Sequence, residues 1–201
     1  MRPYYPMVQP HTLLPDPDLE GDGERLIRAV EKYSRRLLPA DLCGLMDGPI
    51  ESTFRNARKL AAADGGAIWV TDAACENLVV AYADPPDPKL LGREQPASEG
   101  LISLVFASEQ PICQNHVSGD ERHSTMIDDA VGEVTEAMMA APFYIGGMLR
   151  GIFSVIRWLR EDEEGTPGFT LEDFHEFQRA AVAMERLVTL RLTQLILGME
   201  L

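Results

Sequence analysis

The fold turns on one stretch: Ala141-Pro142-Phe143-Tyr144-Ile145-Gly146-Gly147-Met148-Leu149-Arg150-Gly151-Ile152-Phe153-Ser154, followed after an acidic connection by Phe169-Thr170-Leu171-Glu172-Asp173. The apolar runs Ala137 to Ile145 and Leu149 to Leu159 flank Gly146-Gly147, a spacing suited to a hairpin whose glycines take positive φ. Thr170 then offers an N-cap, and Glu172 and Asp173 suit the positive end of a helix dipole. Beyond it Phe174, Phe177, Ala181, Met184, Val188 and Leu195 keep three-and-four spacing, interrupted by Arg191, while Leu187, Leu190 and Ile196 widen the stripe. A helix of about 28 residues is about 42 Å long, whereas a six-residue strand spans about 20 Å. Such a rod overhangs its own sheet, so its distal apolar residues predict a second copy of the chain as partner.

Working back toward the start, helical period appears at Leu26, Val30, Tyr33 and Leu37, stops at Pro39, and returns at Ile50, Phe54, Ala57 and Ala61. This predicts two amphipathic helices before any strand. Asp64-Gly65-Gly66 ends the second, and the runs Ala67 to Thr71 and Leu78 to Ala83 read as an antiparallel pair. Asp84 to Pro96 is rich in proline and reads as a loop. Leu101 to Ala107 reads as a short helix facing the core with Leu101, Leu104 and Val105, and Pro111-Ile112-Cys113 as a short strand. Gln114 to Glu136 is polar, with a short helix expected around Met126 to Val131, and reads as a covering segment. Glu161 to Glu164 reads as a solvated loop. The boundaries expected are a proline-rich arm over 1–22, a helical extension over 23–48, and one domain over 49–201 with its long helix from about 170.

The 201 residues carry 18 basic and 32 acidic side chains, a net charge of -14, so the long-range field repels nucleic acid and anionic membranes. No apolar run reaches the roughly 20 residues of a spanning helix, and no basic-then-apolar leader opens the chain. A cytoplasmic protein is expected. Three cysteines, Cys43, Cys75 and Cys113, have no close pair and read as reduced thiols.

Three groups of residues in this order resemble the GAF domain family. Asp64-Gly65-Gly66-Ala67-Ile68-Trp69-Val70 looks like the lead-in to the family's first strand. Gln110-Pro111-Ile112-Cys113, with Asp120 to Arg122, looks like its middle segment. Ala141 to Ser154 with Phe169 to Asp173 looks like its closing hairpin and final helix. The resemblance runs from about Ile50 to Leu195. It implies an α+β fold: a central antiparallel sheet of five or six strands, N- and C-terminal helices on one face, and a covering segment over a small-molecule pocket on the other, which agrees with the tendency of helices to gather on one side of an antiparallel sheet. The function implied is that of a sensory or regulatory domain that binds a small molecule and signals through its terminal helices to a partner protein, as a homodimer.

Specific branches of the family differ at the residues they require. The bilin-binding branch attaches its chromophore to a cysteine where this chain reads Arg122-His123-Ser124-Thr125-Met126, and the free methionine sulfoxide reductase branch needs a cysteine where it reads Ser98-Glu99-Gly100. Neither chemistry is expected, nor is the cyclic-nucleotide signature found. For a ligand pocket, Asn115, His116, Arg122 and His123 are the expected polar groups, with Met126, Met138 and Phe153 as apolar walls. Arg122 with its histidine neighbours suggests a carboxylate site. Core filling is the plainer reading of Met126, Met138, Met139 and Phe153, and Trp69 reads as a sheet anchor.

Two alternatives stand beside this. Cys113, His116, Asp120 and His123 fall within eleven residues and are all metal-ligand types, which would make a metal- or haem-based sensor, although the spacing matches no closed zinc motif. The other is a protein-interaction and dimerisation module with a vestigial pocket. Nucleophile elbows, zinc-protease helices and phosphate-binding loops are missing, and no cofactor is named by the sequence.

Overall fold

In the computed structural model of the protein, residues 21–160 and 165–199 are described. Most of the proline-rich arm and the acidic run Glu161 to Glu164 lie outside them. Three helices precede the first strand, where periodicity predicts two: α1 (Asp22–Arg36), α2 (Pro39–Leu45) and α3 (Gly48–Leu60). Pro39 stops α1 but also starts α2, since its missing N–H is no loss in a first turn, and the Asp41 carboxylate reaches back 2.8 Å to accept the Leu38 N–H.

The strands are β1 (Gly65–Thr71), β2 (Asn77–Asp84), β3 (Glu94–Pro96), β4 (Ile112–Asn115), β5 (Thr135–Ile145) and β6 (Met148–Trp158). They form one six-stranded sheet in the order β3-β2-β1-β6-β5-β4, with every neighbour antiparallel. The proline-rich connection after β2 is thus a loop only in part, because its end pairs with β2 as β3. Between β3 and β4 lies α4 (Gly100–Ser108), and between β4 and β5 lies α5 (Met126–Val131). In α4 the buried apolar residues are Leu101, Ile102 and Val105, while Leu104 is 45% exposed.

The sheet presents one face to the helices and the other to the segments around α4 and α5. On the helix face, Phe153 stands between Phe54 and Phe177, with ring centroids 5.1 and 4.8 Å away, and Tyr82 meets Phe54 edge-on at 5.3 Å. All three phenylalanines are fully buried, and each contributes about 2–3 kcal/mol by leaving water. The long helix α6 (Leu171–Ile196) lies here with α1, α2 and α3, and its buried residues are Phe177, Ala181, Met184, Val188 and Leu192. Leu195, expected in that stripe, is 47% exposed, and Leu192 fills the place one turn earlier. The Thr170 cap forms a reciprocal box: its hydroxyl accepts the Asp173 N–H at 3.1 Å, and the Asp173 carboxylate accepts the Thr170 N–H at 2.9 Å.

The hairpin joining β5 and β6 turns at Gly146 and Gly147, with φ of 59° and 77°. Its tip is tied to the helices on both sides. The Ser34 hydroxyl of α1 donates to the Ile145 carbonyl, Gly146 N–H donates to Thr189 Oγ1 of α6 at 2.9 Å, and Tyr144 N–H donates to the Glu185 carboxylate at 3.1 Å. Lower on the same strands Arg157 clamps the approach to α6. Its guanidinium donates to the carbonyls of Ala61, Pro167 and Gly168 and lies 4.2 Å from the Phe169 ring centroid. Among the described residues, no helix is long and apolar enough to cross a membrane.

Candidate functional site

The second apolar cluster occupies the other face of the sheet. Trp69, Leu78, Val80, Met138, Ala140 and Ile152 point from the strands toward Leu101, Ile102 and Val105 of α4. Packing is incomplete toward α5, where a cavity of about 300 Å3 remains. Its floor is built by strand alternation: Ala67 and Trp69 from β1, Val80 from β2, Met138 from β5, and Ser154, Ile156 and Trp158 from β6. Its roof comes from two segments of the chain. One is the end of β2 and the connection after it, bringing Asp84 to Asp87 and Leu90; the other runs through α5 and brings His123, Ser124, Ile127, Val131 and Glu133.

The second roof segment is held by a single carboxylate. Asp128 accepts the backbone N–H of Thr135 at 2.9 Å, the Thr135 hydroxyl at 2.6 Å, and a hydrogen bond from His123 Nε2 at 3.1 Å. Burial pushes this carboxyl up, but the hydrogen bonds from His123 and Thr135 outweigh it and hold it below the ordinary carboxylate range. Asp128 thereby pins α5, and His123 ahead of it, to the first residue of β5. On the floor, the Trp69 indole N–H donates to Ser154 Oγ at 3.2 Å, which locks that ring across the two central strands.

Of the residues expected at the site, the structure brings His123 and Met138 to the cavity. Asn115 lies on the helix side and joins β4 to the approach of α6: its side chain accepts the Phe169 N–H at 2.8 Å and donates to the Phe169 carbonyl at 3.2 Å. His116 is exposed and pairs with Glu136 at 2.8 Å, and Ser118 also donates to that carboxylate. Burial pushes Glu136 up, while Ser118 and His116 together hold it below its usual range. Arg122 points to solvent and grips Asp120 through Nε at 2.9 Å and Nη2 at 2.6 Å, lowering that carboxyl to about 2. Met126 packs against the cavity-side cluster from α5 but lines a separate surface depression beside Arg93. Phe153 belongs to the opposite face, because its neighbours Ile152 and Ser154 are the ones that point to the cavity side.

The metal-ligand types near the middle segment are divided in the same way. Cys113 packs on the helix face, and burial pushes its thiol up, away from the thiolate form. His116 and His123 pair with different carboxylates, and among the described residues no three His, Cys, Asp or Glu side chains converge on one point. None of the three cysteines lines the cavity.

The profile of the GAF domain family matches residues 32–185. The GAF domain of a phosphoenolpyruvate-protein phosphotransferase from Coxiella burnetii is similar at a TM-score of 0.58 and 15% identity, over 87% of this chain and 95% of that one. A free methionine-R-sulfoxide reductase from Neisseria meningitidis, solved with its substrate, gives 0.56 and 14%, over 92% and 97% of the two chains. The GAF domain of a two-component sensor histidine kinase from Bacillus halodurans gives 0.53 and 14%, over 77% and 98%. At these identities the likeness is one of fold. No curated protein matches the chain.

Proposed function

The chain belongs to the GAF domain family, and from that premise we propose that it is a sensory or regulatory module whose cavity between sheet and roof binds a small molecule and whose α6 carries the occupancy signal to a partner. The observation that supports this reading most is the cavity of about 300 Å3, floored by Trp69 and Trp158 and walled by His123. A volume of that order is at the lower end of small-molecule sites. A fold under no demand for a ligand would close such a space with side chains, since each unfilled volume forfeits contacts.

The route outward is short. Met138 of β5 faces the cavity, while the next residue, Met139, is fully buried in the core shared with α6. A ligand that draws the roof onto the floor shifts β5 and β6, and their hairpin tip is bonded to α6 through Thr189 and Glu185. A coupling of about 1–3 kcal/mol between cavity and helix is what such linkage ordinarily supplies. Leu190 and Leu195 are 54% and 47% exposed on α6, which favours a second copy of the chain as the partner of that surface. The net charge of -14 argues against nucleic acid and anionic membranes as partners.

Native mass spectrometry of the protein purified without denaturation tests the reading. A bound small molecule is expected, and it should be lost in Ala67→Phe, which fills the floor from β1. A bound species retained by that correctly folded variant would move the ligand elsewhere.

A further inference from the structure

We infer that the cavity selects a flat, largely apolar molecule that carries an N–H donor and is neutral or singly cationic, and that it rejects anions. This deepens the reading of the cavity as a ligand site and rests on it.

Charge carries the first step. Among the described residues no lysine or arginine lines the cavity, whereas four carboxylates do: Asp64, Asp84, Asp87 and Glu133. Two of these are already compensated. Arg58 and Arg55 stand 2.5 and 3.8 Å from the Asp84 carboxylate, and Arg160 stands 3.5 Å from that of Asp64. Asp87 and Glu133 have no ion pair among the described residues and leave the rim of the roof negative. The arginine expected to make an anion site, Arg122, is spent on Asp120 outside the cavity. An anion entering here would lose its hydration without meeting a cation, while a cation would meet uncompensated carboxylates.

Shape and hydrogen bonding carry the second. Trp69 and Trp158 offer two indoles on the floor, surfaces that favour flat apolar bodies and attract cations over their faces. His123 is the directional group. Its side chain is only 9% exposed and lines the cavity, Nε2 is engaged by Asp128, and Nδ1 has no partner among the described residues. In the neutral ring, the proton given to Asp128 from Nε2 leaves Nδ1 as an acceptor, so the complementary ligand atom is a donor.

Isothermal titration calorimetry on the full chain with three probes sharing one ring separates the possibilities: tryptamine, indole and indole-3-acetate. Tryptamine is expected to bind at least roughly tenfold more tightly than indole-3-acetate, and Glu133→Lys should narrow that ratio several-fold. All binding should vanish in Ala67→Phe, or in Ile156→Trp should the first variant fail to fold. Equal or tighter binding of indole-3-acetate, lost in the filled variant, would overturn the charge selection while leaving the cavity a ligand site. Silence from all three probes would overturn this inference and leave the cavity reading to the native mass spectrometry, whereas binding that survives the filled cavity would place the indole site elsewhere and overturn this inference as well.

Discussion

His123 Nε2 lies 3.1 Å from the Asp128 carboxylate, and that carboxylate also holds both the backbone N–H and the hydroxyl of Thr135. One buried acid thus fastens the roof of the cavity to the strand that forms part of its floor. Asp128→Ala removes three hydrogen bonds at once and strands the Thr135 donors, a loss of about 1–3 kcal/mol for each group left unsatisfied. Hydrogen exchange should quicken across residues 123–135 while β1 and β6 keep their protection. Uniform loosening of the whole sheet would show that the acid supports the core rather than the roof.

The same acid sets a pH dependence. Its folded-state pKa lies below the ordinary value, so the folded protein binds this proton less readily than the unfolded chain does. Its contribution is therefore present above the ordinary carboxylate range near 4 and is lost as pH falls through the lower folded value. Urea unfolding of the wild type and of Asp128→Asn should differ most at neutral pH and converge in acid. A difference that grows on acidification would contradict the assignment.

Gly151 has no room for a side chain, because a Cβ built on it would stand 1.7 Å from the Trp69 carbonyl oxygen, which is backbone and cannot step aside. Gly151→Ala must part β1 from β6 beneath the cavity floor, and a loss of about 4 kcal/mol or more is expected in chemical denaturation. Gly147→Ala is the control. It has open space and a φ of 77°, so it should cost only about 1 kcal/mol.

Arg157 gathers three carbonyls from two connections and stacks on Phe169 at the foot of α6. Lysine keeps the charge but cannot reproduce that fork. Arg157→Lys should cost about 2–4 kcal/mol and raise exchange at the start of α6. Retention of wild-type stability would mean that the charge alone suffices.

Leu190→Glu and Leu195→Glu alter exposed positions on α6 and should leave the unfolding free energy of the protomer within about 0.5 kcal/mol of wild type while weakening self-association. Size-exclusion chromatography with light scattering reads the mass. A dimer unchanged by both substitutions would take this end of α6 out of the interface.

The fold was largely legible because its punctuation is local. Gly146-Gly147 announces a turn by backbone freedom alone, and Thr170 with Asp173 announces a helix start by spacing, and both stand where expected. The site was legible only in part. β6 is apolar on both faces, so alternation separates Phe153 from Ser154 but cannot say which of them meets helices. An extra residue in β2, Ala81, opposite Ile68/Trp69 puts both Ala81 and Tyr82 on the helix side, so alternation read along β2 loses its parity there. Trp158 and Ser154 could have been found by counting in twos from Ile152. Arg122 and His123 are neighbours in sequence, yet a turn at Asp120 sends one to solvent and the other inward.

The most direct test of the account uses the two tryptophans of the chain, since both line the cavity floor. In 15N-labelled protein the indole N–H region therefore contains two signals, assigned by Trp69→Phe and Trp158→Phe. Titration with tryptamine is predicted to move both signals along one saturating curve and to slow amide exchange over residues 123–135. Saturable binding that leaves both indole signals in place would contradict the claim that this cavity is where the protein holds its ligand.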